Sequence, residues 1–355
     1  MKVKVVLLFL LGCTVFGVGA VTVLFLLSEE KMQRNNAFQR RYVPEAAVEI
    51  GHLTLDNPGY YIAGIDGAFI YLGHVSAPLY LTKVDTALTS TDKFQMEISD
   101  LDLPYQRVKT SVVPPYFYLG DGTVPVLFKG RVNNYKATKF SLGEAYFNQF
   151  VVADSSTVGI ATVNTSLGSI VLGFIKKGQE GKNIIEFNTS LLEKQQEGVF
   201  DTDGILLWNE KHQVFIYTYY YRNKYVLTDI KLQHQSTGKT IDTISHAILD
   251  IAHHSLKNQF KLGGRSVYVN RQSTTNGDYL YIHSDRLGRY EEAIVLDNSS
   301  IVDVYNINKQ TYDFSFYVFH QSGKRLSDFK VFGDLLILLV DDVLWLYRLN
   351  PAYFD

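Results

Sequence analysis

The residues of this chain that could do chemistry are few, and most fall in one stretch. Asp201-Thr202-Asp203-Gly204 has the D-x-D-G spacing of a turn that leads into a β-strand, and it superficially matches the start of a calcium loop. Calcium takes roughly six to eight oxygen ligands. Where an EF-hand would place its bidentate Glu this chain has His212, so the stretch reads as an Asx-turn. Phe215, Tyr217, Tyr219 and Tyr221 follow at period two, on one face of a strand, with Tyr220 and Tyr225 nearby. Clustered tyrosines can stack on a sugar or grip a peptide, and more often they pack between neighbouring sheets. Arg222-Asn223-Lys224 reads as a solvated turn on a face open to ligands. Tyr219, Tyr221, Arg222 and Lys224 are therefore the candidate ligand- or partner-binding residues.

Other matches fail on spacing. Thr237-Gly238-Lys239-Thr240 ends like a P-loop, but Gln233 stands where the first glycine is needed. His246, His253 and His254 lack the H-E-x-x-H or carboxylate spacing of a zinc site and read as loop or half-exposed strand. No G-x-S-x-G marks a nucleophile elbow, and nothing selects a glycosidase pair from the 36 acidic residues. The only cysteine is Cys13, which rules out disulfide, thiolate-metal and cysteine-nucleophile chemistry for the rest of the chain. No catalytic residue, metal or cofactor is expected. The net charge of −2 gives no basic field for nucleic acid, and Arg40-Arg41 reads as a membrane-edge or solvated pair. Asn164, Asn188 and Asn298 begin N-x-S/T sequons, which matter only in a glycosylating pathway.

The elements that must position these residues begin with an apolar run. From Val5 to Leu27 the chain is uncharged and long enough to cross a bilayer. A signal peptide cut after Val18-Gly19-Ala20 leaves the apolar residues up to Leu27 unexplained. A lipobox at Leu10-Leu11-Gly12-Cys13 has an atypical second Leu and a hydrophobic tail. An uncleaved single-pass anchor accounts for the whole stretch. Basic residues after the span (Lys31, Arg34, Arg40, Arg41) outnumber Lys2 and Lys4, which favours a cytoplasmic domain. The short N-terminal tail and the long following domain favour export, and export is the reading adopted. The expected division is a signal-anchor over 1–27, a juxtamembrane linker over 28–46 and one domain over 47–355.

That domain alternates at period two throughout, and its 24 Tyr and 22 Phe suit half-buried pleated surfaces. Phe200 to Ile230 shows the unit clearly, as three strands joined by tight turns. Leu191 to Glu197 reads as a helical turn within a connection. Strand groups recur at propeller-blade spacing, the fifth opening with Ser266 to Asn270 and the last lacking its fourth strand. Ala47 to Leu55 alternates suitably to supply the missing strand and close the ring. The expected fold is an all-β six-bladed β-propeller with four-stranded blades behind one transmembrane helix; a β-sandwich or other large all-β fold is the alternative.

PPYFYLGDGTVP from Pro114, LLEKQQEGVFDTDG from Leu191, YTYYYRNKYVLTD from Tyr217, GKTIDTIS from Gly238 and SIVDVYNINKQTYDFSFYV from Ser300 form a set. With the N-terminal run they resemble a family of uncharacterised bacterial membrane-anchored, propeller-like proteins. The resemblance implies an exported domain tethered to the inner membrane, facing the periplasm, and carries over no activity. Two functions compete. One is a binding or scaffold module for a protein partner in the cell envelope. The other is an envelope hydrolase or lyase on saccharide-type substrates, using carboxylates at the central channel.

Overall fold

A computed structural model of the chain describes residues 2–27, 33–178, 181–196, 198–254 and 259–354. Helix α1, Lys2–Leu27, is apolar on every side, with a mean hydropathy of 2.4 over Lys4–Leu24. Its length and composition suffice to cross a membrane. Thr14 and Thr22 donate their hydroxyls back to the carbonyls of Leu10 and Val18, which leaves neither hydroxyl unpaired in an apolar setting.

The remainder is all-β. Among the described residues it forms four four-stranded antiparallel sheets (3 to 6 below), one nine-stranded sheet made of two four-stranded meanders (1 and 2 below) joined by a parallel bridge with Glu97–Ile98 at its edge, and a two-stranded hairpin of Ile251–His254 and Gln259–Leu262. Sheet 1 comprises Tyr60–Ile65, Phe69–His74, Tyr80–Asp85 and Thr91–Gln95. Sheet 2 comprises Lys109–Val113, Tyr116–Asp121, Val126–Arg131 and Lys136–Leu142. Sheet 3 comprises Gln149–Val152, Thr157–Asn164, Ser169–Lys177 and Asn183–Asn188. Sheet 4 comprises Gly204–Asn209, Val214–Tyr219, Lys224–Asp229 and His234–Lys239. Sheet 5 comprises Gln272–Asn276, Tyr279–His283, Ser299–Asn306 and Thr311–Phe319. Sheet 6 takes Leu326–Phe332, Leu335–Val340 and Val343–Leu349 from the end of the chain and its fourth strand, Ala47–Thr54, from the beginning. As expected, that strand pairs antiparallel with Val343–Leu349, Val48 opposite Arg348 and Thr54 opposite Val343.

The first strands of the sheets touch one another in cyclic order, 1 to 6 and back to 1. The apolar clusters repeat this order. Ile62 and Leu72 of sheet 1 meet Ile337 and Leu339 of sheet 6, and the other face of sheet 6 sends Leu336 and Leu338 against Val302 and Phe316 of sheet 5. A strand buried on both faces has no polar side to show, which is why Leu335–Val340 is the unbroken run LLILLV. The result is a propeller-like arrangement. Sheets 1 and 2 are joined by a parallel bridge between Gly64 and Val112. A Cβ on Gly64 would lie 2.0 Å from the Val112 carbonyl oxygen, so only glycine fits. Gly64→Ala is expected to cost about 1–3 kcal/mol by overpacking. A urea midpoint equal to the parent's would refute that close approach.

Three expectations need correction. Ser266 to Asn270 is loop, and the polar Gln272–Asn276, whose Asn, Ser and Thr imitate a turn, is the first strand of sheet 5. Residues 191–196 form bends rather than a helical turn, held by Asp201, whose carboxylate accepts the N–H groups of Gln195 and Gln196; Glu197 lies outside the described residues. The third concerns Arg40, carried by the segment after the helix. Residues 28–32 are outside the described residues, and 33–46 lie against sheet 5. Asn35 donates its N–H to the Leu287 carbonyl, Tyr42 bridges to Ser315 and Phe38 is buried.

Arg40 is likewise not solvated. It is buried, with Nε 2.6 Å and Nη2 3.1 Å from the two carboxylate oxygens of Asp303 and Nη1 2.8 Å from Glu291. Arg40, Glu291 and Asp303 have side chains 1%, 5% and 2% exposed.

Candidate functional site

Sheet 4 carries the residues singled out from sequence. Its second strand is buried along its whole length, so Phe215, Tyr217 and Tyr219 are packing. The Phe215 ring fills the space over Gly159 of sheet 3, where a Cβ would lie 2.4 Å from its edge. Tyr219, Arg222 and Lys224 converge on Glu193. The Tyr219 hydroxyl accepts the Glu193 N–H at 3.1 Å, Arg222 donates to the Glu193 carbonyl, and the Lys224 ammonium is 2.6 Å from its carboxylate. The guanidinium lies 3.8 Å from the centroid of the Tyr219 ring.

Arg222 and Tyr219 are wholly buried and Tyr221 nearly so, whereas the sequence suggested a solvated turn. The physical reason is the ring of Tyr219, whose face takes the guanidinium inward and replaces part of its hydration. Of the four candidates only Lys224 keeps substantial exposure.

The surface beside them is built by residues that have no motif. Asn270, buried, donates Nδ2 to the carbonyls of Tyr219 and Arg222 at 2.7 and 3.0 Å. The backbone N–H groups of Val269 and Asn270 both reach the Tyr220 carbonyl. These bonds fix the 220–223 turn of sheet 4 to the segment entering sheet 5. Tyr268 is thereby set 6.0 Å from Tyr220 and 4.7 Å from Tyr221, ring to ring. The Arg271 guanidinium sits 4.5 Å from the Tyr268 centroid, and its Nε is 2.6 Å from Asp285, whose other oxygen is 3.2 Å from His283. Burial alone would raise the Asp285 pKa; the His283 ring and Arg271 outweigh it and hold the carboxyl well below the usual range. Tyr220, Tyr268 and Asp285 are half-buried and Arg271 is exposed, so the cluster is presented to solvent in a fixed arrangement.

Asp203 adjoins this cluster, its carbonyl accepting the Tyr220 N–H at 3.0 Å. Desolvation pushes its carboxyl up to about 6, opposed by the Gly204 N–H bond. A raised folded-state pKa means that the native chain holds this proton after the unfolded chain has released it. Stability therefore falls as pH rises from about 4 to about 6, by on the order of 2–3 kcal/mol. Asp203→Asn should abolish that fall, so the variant gains on the parent between pH 4 and pH 7 in urea titrations. A pH-independent difference would refute the desolvated carboxyl.

The first, inner strands of the sheets place a second polar group where sheets 6 and 1 meet. Asp328 of sheet 6 accepts the Ile62 N–H of sheet 1 at 2.8 Å, with Lys330, Lys109 and Tyr61 within electrostatic reach. Burial raises the Asp328 pKa and lowers that of Lys330, so both charges are weakened. Among the described inner strands Asp328 is the sole carboxylate, an acid beside ammonium groups rather than an acid pair. Asp201 spends its carboxylate on backbone N–H groups, as a turn residue does. The side chains of His253 and His254 lie outside the described residues.

No family model matches the chain, and no curated protein matches its sequence. In structure it is similar to a DUF4221 family member from Bacteroides vulgatus, at 10% identity and a TM-score of 0.50, over 85% of this chain and 97% of that one. It is also similar to streptogramin B lyase, at 8% identity and a TM-score of 0.50, over 86% and 98% of the two chains. At such identities the likeness is one of fold. Tyr268 and Asn270 were read as part of a strand over Ser266 to Asn270, and Arg271 and Asp285 carry no motif, so none of the four was singled out from sequence. The available signal was an aromatic and two charges flanking a strand in an unusually long insertion.

Proposed function

We propose that this chain is an exported, membrane-tethered six-bladed β-propeller that binds a protein partner in the cell envelope through the face over sheets 4 and 5. Six sheets with six apolar clusters in cyclic order support the blade count. Helix α1 supports the membrane tether by its length and composition.

One observation carries the binding reading: Tyr220, Tyr268, Arg271 and Asp285 form a part-exposed cluster whose geometry is already fixed from below by Asn270. Tyrosine and arginine held rigid at a surface are the residues that dominate protein interfaces, because little entropy is lost when a partner covers them. A photo-crosslinking amino acid in place of Tyr268 is expected to capture one reproducible protein, and the same probe at Lys309 is not. Equal yields from both positions, or none from either, would refute it. A reporter fused after Asp355 tests the compartment, with periplasmic activity the expected result.

The enzymatic reading rests on Asp328 alone. An acid whose pKa is raised beside Lys330 could exchange a proton with a saccharide in the channel. The separation of two carboxylates that glycoside hydrolysis requires is missing from the described inner strands, so binding is the better-supported function.

A further inference from the structure

We infer that Tyr290 and Ile294, in the loop between Tyr279–His283 and Ser299–Asn306, rest on the headgroup layer of the bilayer that α1 enters; this depends on the anchor reading of α1. The chain is docked soon after leaving the helix. Gln33 accepts the Leu287 N–H, Arg34 donates to the Glu291 carbonyl at 2.7 Å, and Arg289 donates its N–H to the Phe38 carbonyl at 2.9 Å and its Nε to the Asn36 carbonyl at 3.0 Å. Between Leu27 and Gln33 the chain can span no more than about 20 Å even fully extended. The loop that receives it is therefore held within that distance of the end of the span.

The same loop exposes the side chains an interface takes. Tyr290 is 80% exposed, and Ile294, in the 3-10 turn Ala293–Asp297, is 69% exposed. Tyr290 also has φ +68°, a left-handed backbone that a bulky residue rarely adopts, so strain is spent on holding an aromatic ring in the open. Water gives no return for that arrangement. The membrane interface does, since tyrosine rings settle at headgroup level with apolar neighbours just below. Arg34 and Arg289 stand on the segments that meet here, cations at the level of the headgroup phosphates.

The test uses the full chain in nanodiscs of phosphatidylcholine and phosphatidylglycerol, one copy per disc. Cys13 is the single native thiol, so a fluorophore on it reports the span. In a Cys13→Ser background, Tyr290→Cys, Ile294→Cys and Lys309→Cys carry the same fluorophore, Lys309 lying in the turn at the opposite end of sheet 5. Headgroup nitroxides should quench positions 290 and 294 about threefold more than 309, while acyl-chain nitroxides quench Cys13. Equal quenching at 290, 294 and 309 with Cys13 still quenched would overturn the docking and leave the anchor standing. An unquenched Cys13 would overturn both.

Discussion

Replacing Arg40 by methionine is expected to cost about 3–5 kcal/mol, the scale of a broken buried ion pair. Asp303 would lose both charged hydrogen bonds and keep only the Ser315 hydroxyl, and Glu291 would keep the Gly288 N–H. The substitution removes more than stability. Arg40 is the one group that ties 33–43 simultaneously to the middle of sheet 5 and, through the Arg286 carbonyl, to the loop that follows its second strand. Trypsin should therefore cut at Arg41 in Arg40→Met well before it cuts the parent. Unfolding within 1 kcal/mol of the parent, with unchanged proteolysis, would refute this account. Replacing Asp303 and Glu291 by apolar residues as well should restore part of the loss, since the penalty lies in the stranded carboxylates.

The second large effect concerns Ala47–Thr54. Exchanging that strand for a glycine-serine stretch of equal length should abolish cooperative unfolding and yield soluble aggregates on size exclusion. The strand buries little apolar surface of its own, most of its side chains being exposed. Its contribution is the ladder to Val343–Leu349, about 1 kcal/mol per hydrogen bond, and the cover it gives to that edge. Uncovered, Val343–Leu349 offers its backbone groups and its apolar side chains to any other chain. A monomeric product with a single sharp transition would show that sheet 6 is complete without it.

Much of this architecture was legible in the residues. The alternation of Ala47 to Leu55 foretold a strand that the last sheet lacked, and the tight turns within Phe200 to Ile230 marked the meander of sheet 4. Gln272–Asn276 was not legible, because its polar side chains take their place in sheet 5 from neighbours and not from propensity. The site was read least well. Tyr219 and Arg222 drew notice as polar residues near a turn, yet a stacked guanidinium turns inward, which no local pattern signals. Tyr268 and Arg271 acquire meaning only when Asn270 brings them to the 220–223 turn. The burial of Arg40 depends on Asp303 and Glu291, hundreds of positions away, a distance across which charge patterning says nothing.

Building sheet 6 from both ends of the chain also sets the order of events at the ribosome. Ala47–Thr54 emerges early, just behind the apolar helix, and must wait unpaired while five sheets are synthesised and laid down. Its partner Val343–Leu349 is made only after all five intervening sheets. A chain interrupted before that point leaves Ala47–Thr54 without its partner and its backbone groups unpaired.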